Sequence, residues 1–304
     1  MYKQKKQIIK FITNLKPIKE EKKIKGFFFK DYLDIDSGFG DIFLVIDHNE
    51  KEFILKVQKE KIVKRNYLLN EYNMYRHLKE STYTSNYYKY FLSTTLKCLI
   101  MTKYDIDLKD LYDRDIIKFH YHYKKMIFMQ MFSALEDIHK RFVIHQDIKL
   151  GNFTYNFKEN KVYLIDFGAS RIEPILTVPA TERCKRIIGT LRYASLNSHR
   201  TMLLTPYDDI ESLLYVFIEI ELHRKMKKLP WRGRTKYQTM QDKWDIVYSI
   251  KRKYLIETYT RDRLPIYLNK LIRKYRDNIA LMKKIKIPLK IFYQNYKMIL
   301  IDNL

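Results

Sequence analysis

Two short polar runs narrow the choice of fold for this chain. The first is His145-Gln146-Asp147-Ile148-Lys149-Leu150-Gly151-Asn152; the second, Asp166-Phe167-Gly168, begins nineteen residues after Asp147. Between them Val162-Tyr163-Leu164-Ile165 reads as a short β-run that would fix Asp166 at its end. Each run alone could arise by chance. Both in this order, after a helical stripe that ends at His139, form one constellation: a carboxylate, a lysine two residues on, and two hard oxygen donors in Asn152 and Asp166.

The patterning around them divides the chain in two. Phe27 to Ile35, Asp41 to Asp47 and Glu52 to Val57 are short, rich in aromatic or β-branched residues, and separated by turn-formers at Ser37-Gly38 and His48-Asn49. Arg65 to Leu78 reads as a helix, with Leu68, Leu69, Tyr72, Tyr75 and Leu78 at spacings of three and four, and Phe91 to Lys103 returns to strand character. Beyond Tyr104 the pattern is helical. Ile127, Met131, Leu135 and Ile138 stripe one long helix, Pro206 to Leu222 holds another, and Pro265 to Tyr275 and Leu289 to Leu300 complete the series. A strand-rich first third followed by helices is an α+β plan, in which a cleft between the two parts is the default site.

Composition sets limits on this plan. With 46% hydrophobic and 31% charged residues, the 304-residue chain can bury a core and still be well hydrated. Its two cysteines, Cys98 and Cys184, are too few for a disulfide framework and suit a reducing compartment, so cytosol or nucleus is expected. No apolar run has the length of a membrane span, and none after Met1 to Lys10 has the length of a signal peptide. Residues 1–25 are Lys-rich and read as a basic extension, either a solvated arm or a docking or import signal. The net charge of +24 attracts anionic partners at long range, whether nucleic acid, membrane surface or acidic protein.

The polar runs carry the chemistry. An Asp with an Asn five residues on, followed by D-F-G, is a protein-kinase signature. Phosphoryl transfer needs divalent metal held against phosphates, an aligned hydroxyl and positive charge facing the transferred group. Asp147 would align the hydroxyl or accept its proton, Lys149 would contact the γ-phosphate, and Asn152 and Asp166 would hold Mg²⁺. Upstream, Lys56 closes the strand Phe53 to Lys56, and Glu71 lies fifteen residues later on the Arg65 to Leu78 helix. Such a pair can anchor the α- and β-phosphates of ATP.

Further motifs sharpen the resemblance. Gly189-Thr190-Leu191-Arg192-Tyr193-Ala194-Ser195-Leu196-Asn197-Ser198-His199 stands where most kinases carry A-P-E, and Asp208-Asp209-Ile210-Glu211-Ser212-Leu213 and Leu229-Pro230-Trp231 follow it. With Asn152-Phe153 and Gly40-Asp41-Ile42, these segments resemble the casein kinase 1 group from about Lys30 to Lys297. The resemblance implies a two-lobed fold, with a small β-rich lobe over residues 26–103 and a larger helical lobe over 104–304. It implies ATP and Mg²⁺ as cofactors, Met101 as gatekeeper, and Thr102 to Tyr104 as the segment behind adenine. It also implies that Asp209 braces the catalytic loop, and that Lys185, Arg192 and Lys243 bind an anion beside the substrate. Acidic or phosphorylated protein substrates are then expected, a monomer is expected, and nucleic acid is not expected as the main partner.

Three features depart from the pattern. The glycine loop falls on Ile35, Asp36, Ser37, Gly38, Phe39 and Gly40, so only its last glycine is kept, although Gly38 restores some freedom. Ile35, Ser37, Gly38 and Gly40 remain the expected phosphate-covering residues. Ile54 stands where the group has a small Ala over adenine, and Gln146 replaces the Arg that pairs with an activation-loop phosphate. The first two changes weaken ATP binding and keep a second reading open: a pseudokinase that docks partners through its basic surface. A nucleic-acid-binding protein is a third reading, suggested by the charge and 15% aromatic residues, but the tyrosines are scattered and no nucleic-acid motif is present.

Overall fold

The computed structural model describes residues 23–33, 40–59, 66–92, 96–114, 121–173, 187–223, 229–232, 239–256, 264–282 and 289–303. These fall into two compact units, one running to Tyr75 and resuming over Ser85–Lys103, the other comprising Arg76–Thr84 and the chain from Tyr104 onward.

The first unit is an antiparallel sheet of β1 (Lys23–Ile24), β2 (Phe27–Leu33), β3 (Asp41–Ile46), β4 (Glu52–Lys59), β5 (Tyr87–Leu92) and β6 (Leu96–Thr102) in the order β1-β2-β3-β4-β6-β5, with helix α1 (Tyr67–His77). The turn between β3 and β4 forms where His48-Asn49 predicts it, because the Asp47 carboxylate accepts from Asn49 N at 2.8 Å and Lys51 N at 2.9 Å. Phe27, Phe43, Val45, Phe53, Leu55, Val57, Leu96, Cys98 and Ile100 form the core. Alternation places Phe53, Leu55 and Val57 on that face of β4 and leaves Lys56 on the other.

Two sequence expectations are revised here. The single strand expected over Phe91 to Lys103 is part of a hairpin: β5 pairs antiparallel with β6, Phe91 opposite Cys98 and Leu92 opposite Lys97. Ser93-Thr94-Thr95 interrupt the apolar alternation between them. Lys23 and Ile24, expected in the basic extension, instead pair with β2, and Ile24 is buried in the core. The rest of that extension, residues 1–22, lies outside the described residues.

The second unit is helical around two small sheets. Its helices are α2 (Leu108–Asp113), α3 (Tyr121–Lys140), α4 (Leu196–His199), α5 (Pro206–His223), α6 (Met240–Ile256), α7 (Ile266–Met282) and α8 (Leu289–Asn303). Strands β7 (Ile106–Asp107), β9 (Phe153–Asn156) and β10 (Lys161–Leu164) form one sheet in the order β10-β9-β7, while β8 (Val143–Ile144) pairs with β11 (Arg171–Ile172). The stripe Ile127, Met131, Leu135 and Ile138 of α3 is fully buried, and Phe128 stacks on Phe217 of α5 with ring centroids 3.8 Å apart. Helix α5 begins with a reciprocal cap: Thr205 donates from N (2.7 Å) and Oγ1 (2.8 Å) to Asp208, whose N returns a bond to Thr205 O at 3.0 Å. Inside the bundle the Lys124 ammonium lies 2.5 Å from Glu221 Oε1, which also accepts from Tyr267 OH at 2.6 Å, so the buried ion pair is supported by a further hydrogen bond.

Candidate active site

In the first unit, Lys56 and Glu71 meet as the sequence predicts. Lys56 Nζ lies 2.7 and 3.0 Å from the two Glu71 oxygens, and Tyr75 OH donates to Glu71 Oε1 at 3.2 Å. Glu71 is buried, so its pairing with lysine and tyrosine offsets the desolvation of its charge. The start of α1 is tied to the same strand, because Leu68 N donates to Gln58 Oε1 at 3.2 Å. Lys56 is opposite Leu99 in the sheet and Ile54 is opposite the buried Met101, so the lysine and the expected gatekeeper belong to adjacent strands.

Gly40 has a reason of its own to be glycine. Its φ is +155°, and a Cβ there would stand 2.3 Å from Val57 O. Strand β3 could not start this close to β4 with any other residue. Ile35, Ser37 and Gly38 lie outside the described residues.

In the second unit, the catalytic-loop residues are held by a dense set of polar contacts. Asp209, in the first turn of α5, accepts from His145 N at 2.7 Å, Gln146 N at 2.8 Å and His139 Nε2 at 2.9 Å. The loop is thereby pinned to a helix terminus whose exposed N–H groups favour a carboxylate. Gln146 takes a left-handed φ of +70°, a strained geometry that these anchors support.

Asp147 is buried and both of its carboxylate oxygens have partners. Oδ2 lies 2.9 Å from Lys149 Nζ, and Oδ1 accepts from Thr190 N at 2.7 Å and Thr190 Oγ1 at 2.8 Å. Gly189 permits this approach: its φ is +93°, and a Cβ would come 2.8 Å from Gln146 O. Asn152 Nδ2 donates to Asp147 O at 2.8 Å. Since a carbonyl can only accept, this bond fixes which end of the Asn152 amide is nitrogen and leaves the oxygen as the end available to a cation.

The Asp166 backbone is clamped on both sides. Ile165 N donates to Asn152 O at 2.9 Å, His145 Nε2 donates to Ile165 O at 3.0 Å, and Ser170 Oγ donates to His145 O at 3.1 Å. Phe167 is fully buried with its ring 4.9 Å from His145. Asp166 itself adopts φ +67°, ψ +65°, a conformation an L-residue holds only when its surroundings impose it. Asn152 and Asp166 thus give a donor set of oxygens, which fits Mg²⁺ shared with phosphate oxygens. Among the described residues no group of three or more His, Cys, Asp or Glu gathers into an all-protein metal cage.

The expected anion-binding residues are placed differently from one another. Lys185 lies outside the described residues. Arg192 is partly buried; its guanidinium is 3.3 Å from Glu219, which also approaches Arg232 at 3.5 Å and accepts a short bond from Tyr193 OH. Lys243 stands in the first turn of α6, where its N donates to Thr239 O at 3.3 Å. Tyr104, expected behind adenine, stacks on Tyr163 with centroids 4.3 Å apart.

Sequence reasoning assigned no role to Thr190, which supplies two of the bonds to Asp147, or to Glu219. It also missed α6 altogether. The signal for α6 was the spacing of Val247, Lys251 and Leu255, all buried, in which a lysine occupies a core position and breaks the apolar count.

The partly buried Lys56–Glu71 pair belongs to the first unit, and Asp147, Lys149, Asn152 and Asp166 belong to the second, in a chain of α+β plan. The sequence matches the protein kinase domain over residues 36–277, and the chain belongs to that family. Members of the family generally use ATP and Mg²⁺ and act on proteins.

Proposed function

We propose that this chain is a Mg-ATP-dependent Ser/Thr protein kinase of the casein kinase 1 type that modifies acidic protein segments in the cytosol or nucleus. The observation that carries the reading is Asp147: its carboxylate is oriented by Lys149 and Thr190 on a loop anchored to Asp209. A carboxylate so fixed can align an incoming hydroxyl and take its proton as the new P–O bond forms. Lys149 and Lys56 are the cations suited to the γ-phosphate and to the α- and β-phosphates. Asn152 and Asp166 would hold Mg²⁺, which neutralises phosphate charge when bound with ATP.

Acidic segments are proposed ahead of phosphorylated ones. Gln146 removes a cation from the expected anion site, and Glu219 balances part of the charge of Arg192, whereas the +24 net charge still attracts acidic chains. A monomer is sufficient for this chemistry. A second reading, a pseudokinase acting as a binding module, rests on Ile35 in the glycine loop and Ile54 beside Met101.

The test is phosphate incorporation into matched acidic peptides bearing Ser, Thr or Tyr, with neutral and phosphoserine-primed versions alongside. Incorporation at Ser or Thr that rises with acidic flanks is the expected result. Incorporation at Tyr, or indifference to the flanks, contradicts the proposed specificity.

A further inference from the structure

Lys251 of α6 has no solvent exposure, yet it carries an ammonium group into the base of the segment that follows the activation region. Its Nζ donates to Ala194 O at 2.6 Å and Leu191 O at 2.9 Å, and contacts His199 Nε2 at 3.3 Å. The tautomer of His199 follows from its other contact: Nδ1 lies 3.0 Å from Trp244 O, which can only accept, so Nδ1 carries the proton and Nε2 is bare. Three acceptors therefore converge on Nζ, and only an –NH₃⁺ group has three donors to meet them.

Two ring faces complete the enclosure. Tyr215 and Trp231 have centroids 4.6 and 5.6 Å from Nζ. Desolvation lowers the Lys251 pKa, but the converging acceptors, the rings and the nearby Glu211 charge favour the ammonium. Trp231 also donates from Nε1 to Arg192 O at 2.8 Å. The carbonyls of Leu191, Arg192 and Ala194 are thus all turned toward α6 and Trp231, while the preceding residue, Thr190, grips Asp147 with both its N and its hydroxyl.

We propose that Lys251 is a positioning residue for the phosphoacceptor chain. By clasping the segment from Leu191 to His199 at one end, it fixes the backbone that meets Asp147 at the other. A hydroxyl delivered to Asp147 must come on a peptide lying next to Gly189 and Thr190, so the placement of this segment sets peptide binding. An apolar residue of similar volume would fill the site with less desolvation cost, but it would leave three carbonyl or imidazole acceptors unpaired and free to turn.

This inference rests on the phosphotransfer reading, and the test separates the two. In the full chain, Lys251→Met is compared with wild type for peptide KM, ATP KM, melting, and amide exchange over residues 187–199. The expected result is a peptide KM raised at least roughly tenfold, as for loss of a charged buried hydrogen bond, with ATP KM within about twofold. Amide exchange should accelerate over 187–199 and not over the Lys56–Glu71 unit. Lys251→Arg, which keeps charge and donors, should recover part of the peptide KM. Should Lys251→Met not fold, Lys251→Gln carries the same comparison. An unchanged peptide KM in the folded variant overturns the proposal, and so does an equal rise in both KM values with general loss of stability. If wild type transfers phosphate to no peptide, the phosphotransfer reading fails instead. Exchange then decides: acceleration confined to 187–199 supports the clasp, and none overturns it.

Discussion

At His199 a single ring carries opposed demands. Nδ1 gives its proton to Trp244 O, and Nε2 faces the Lys251 ammonium, so a second proton would set two positive groups against each other. Burial first, and Lys251 second, lower its pKa to about 3 from the usual 6.5. The unfolded chain therefore takes up a proton near pH 6.5 that the native chain refuses until about pH 3, and stability falls as pH drops through that window. Urea unfolding at pH 7.5 and 5.5 should show wild type losing about 1 kcal/mol more than His199→Gln. Equal losses would contradict the neutral, ammonium-facing histidine. The gathering of Asp147, Asn152 and the chain leading into Asp166 was legible in the sequence because local spacing alone encodes it. Thr190 and Lys251 were not, since each acquires its meaning only when a distant segment folds against it.

The first two turns of α5 show how one short helical segment can organise several others. Asp208 caps its own helix and accepts from Ser195 Oγ at 2.7 Å; Asp209 holds the catalytic loop; Glu211 accepts from Leu196 N at 2.7 Å and from the Tyr215 and Tyr275 hydroxyls at 2.6 and 2.8 Å. Burial and the nearby Asp208 raise the Glu211 pKa, which those three donors oppose. The D-D-x-E spacing therefore works by direction: successive residues around the helix start aim at different loops. Asp209→Asn turns an NH₂ group toward an N–H that needs an acceptor. It should cost about 2–4 kcal/mol in urea unfolding and lower phosphate transfer as well. A change below about 0.5 kcal/mol would mean the loop stands without this anchor.

Element type was readable wherever one period dominated, as in α3 and α5, whose stripes are wholly buried. It failed at α6, where Lys251 occupies the stripe, and at the β5–β6 hairpin, where both strands are apolar and only Ser93-Thr94-Thr95 mark the break. In both cases tertiary pairing, not local pattern, decides the outcome.

Across the whole molecule, the α+β order of a sheet followed by helices was apparent from the sequence, and the protein kinase domain match over residues 36–277 spans both units. Regulation is a property at this scale too. With Gln146 in place of an arginine, the catalytic loop presents no guanidinium to an activation-segment phosphate, and its amide is anchored to Asp209 regardless. Phosphatase-treated protein should therefore keep its transfer rate; loss of most of the rate would show that a phosphate orders the site by another route. The proposed activity depends on chemistry passing through Asp147, Asn152 and Asp166. Its most direct test is transfer of the γ-phosphate from saturating Mg-ATP to casein by wild type beside Asp166→Asn. Transfer by wild type, reduced at least roughly a hundredfold in the variant, is the predicted result. No transfer by folded wild type, or equal transfer by both, would contradict it.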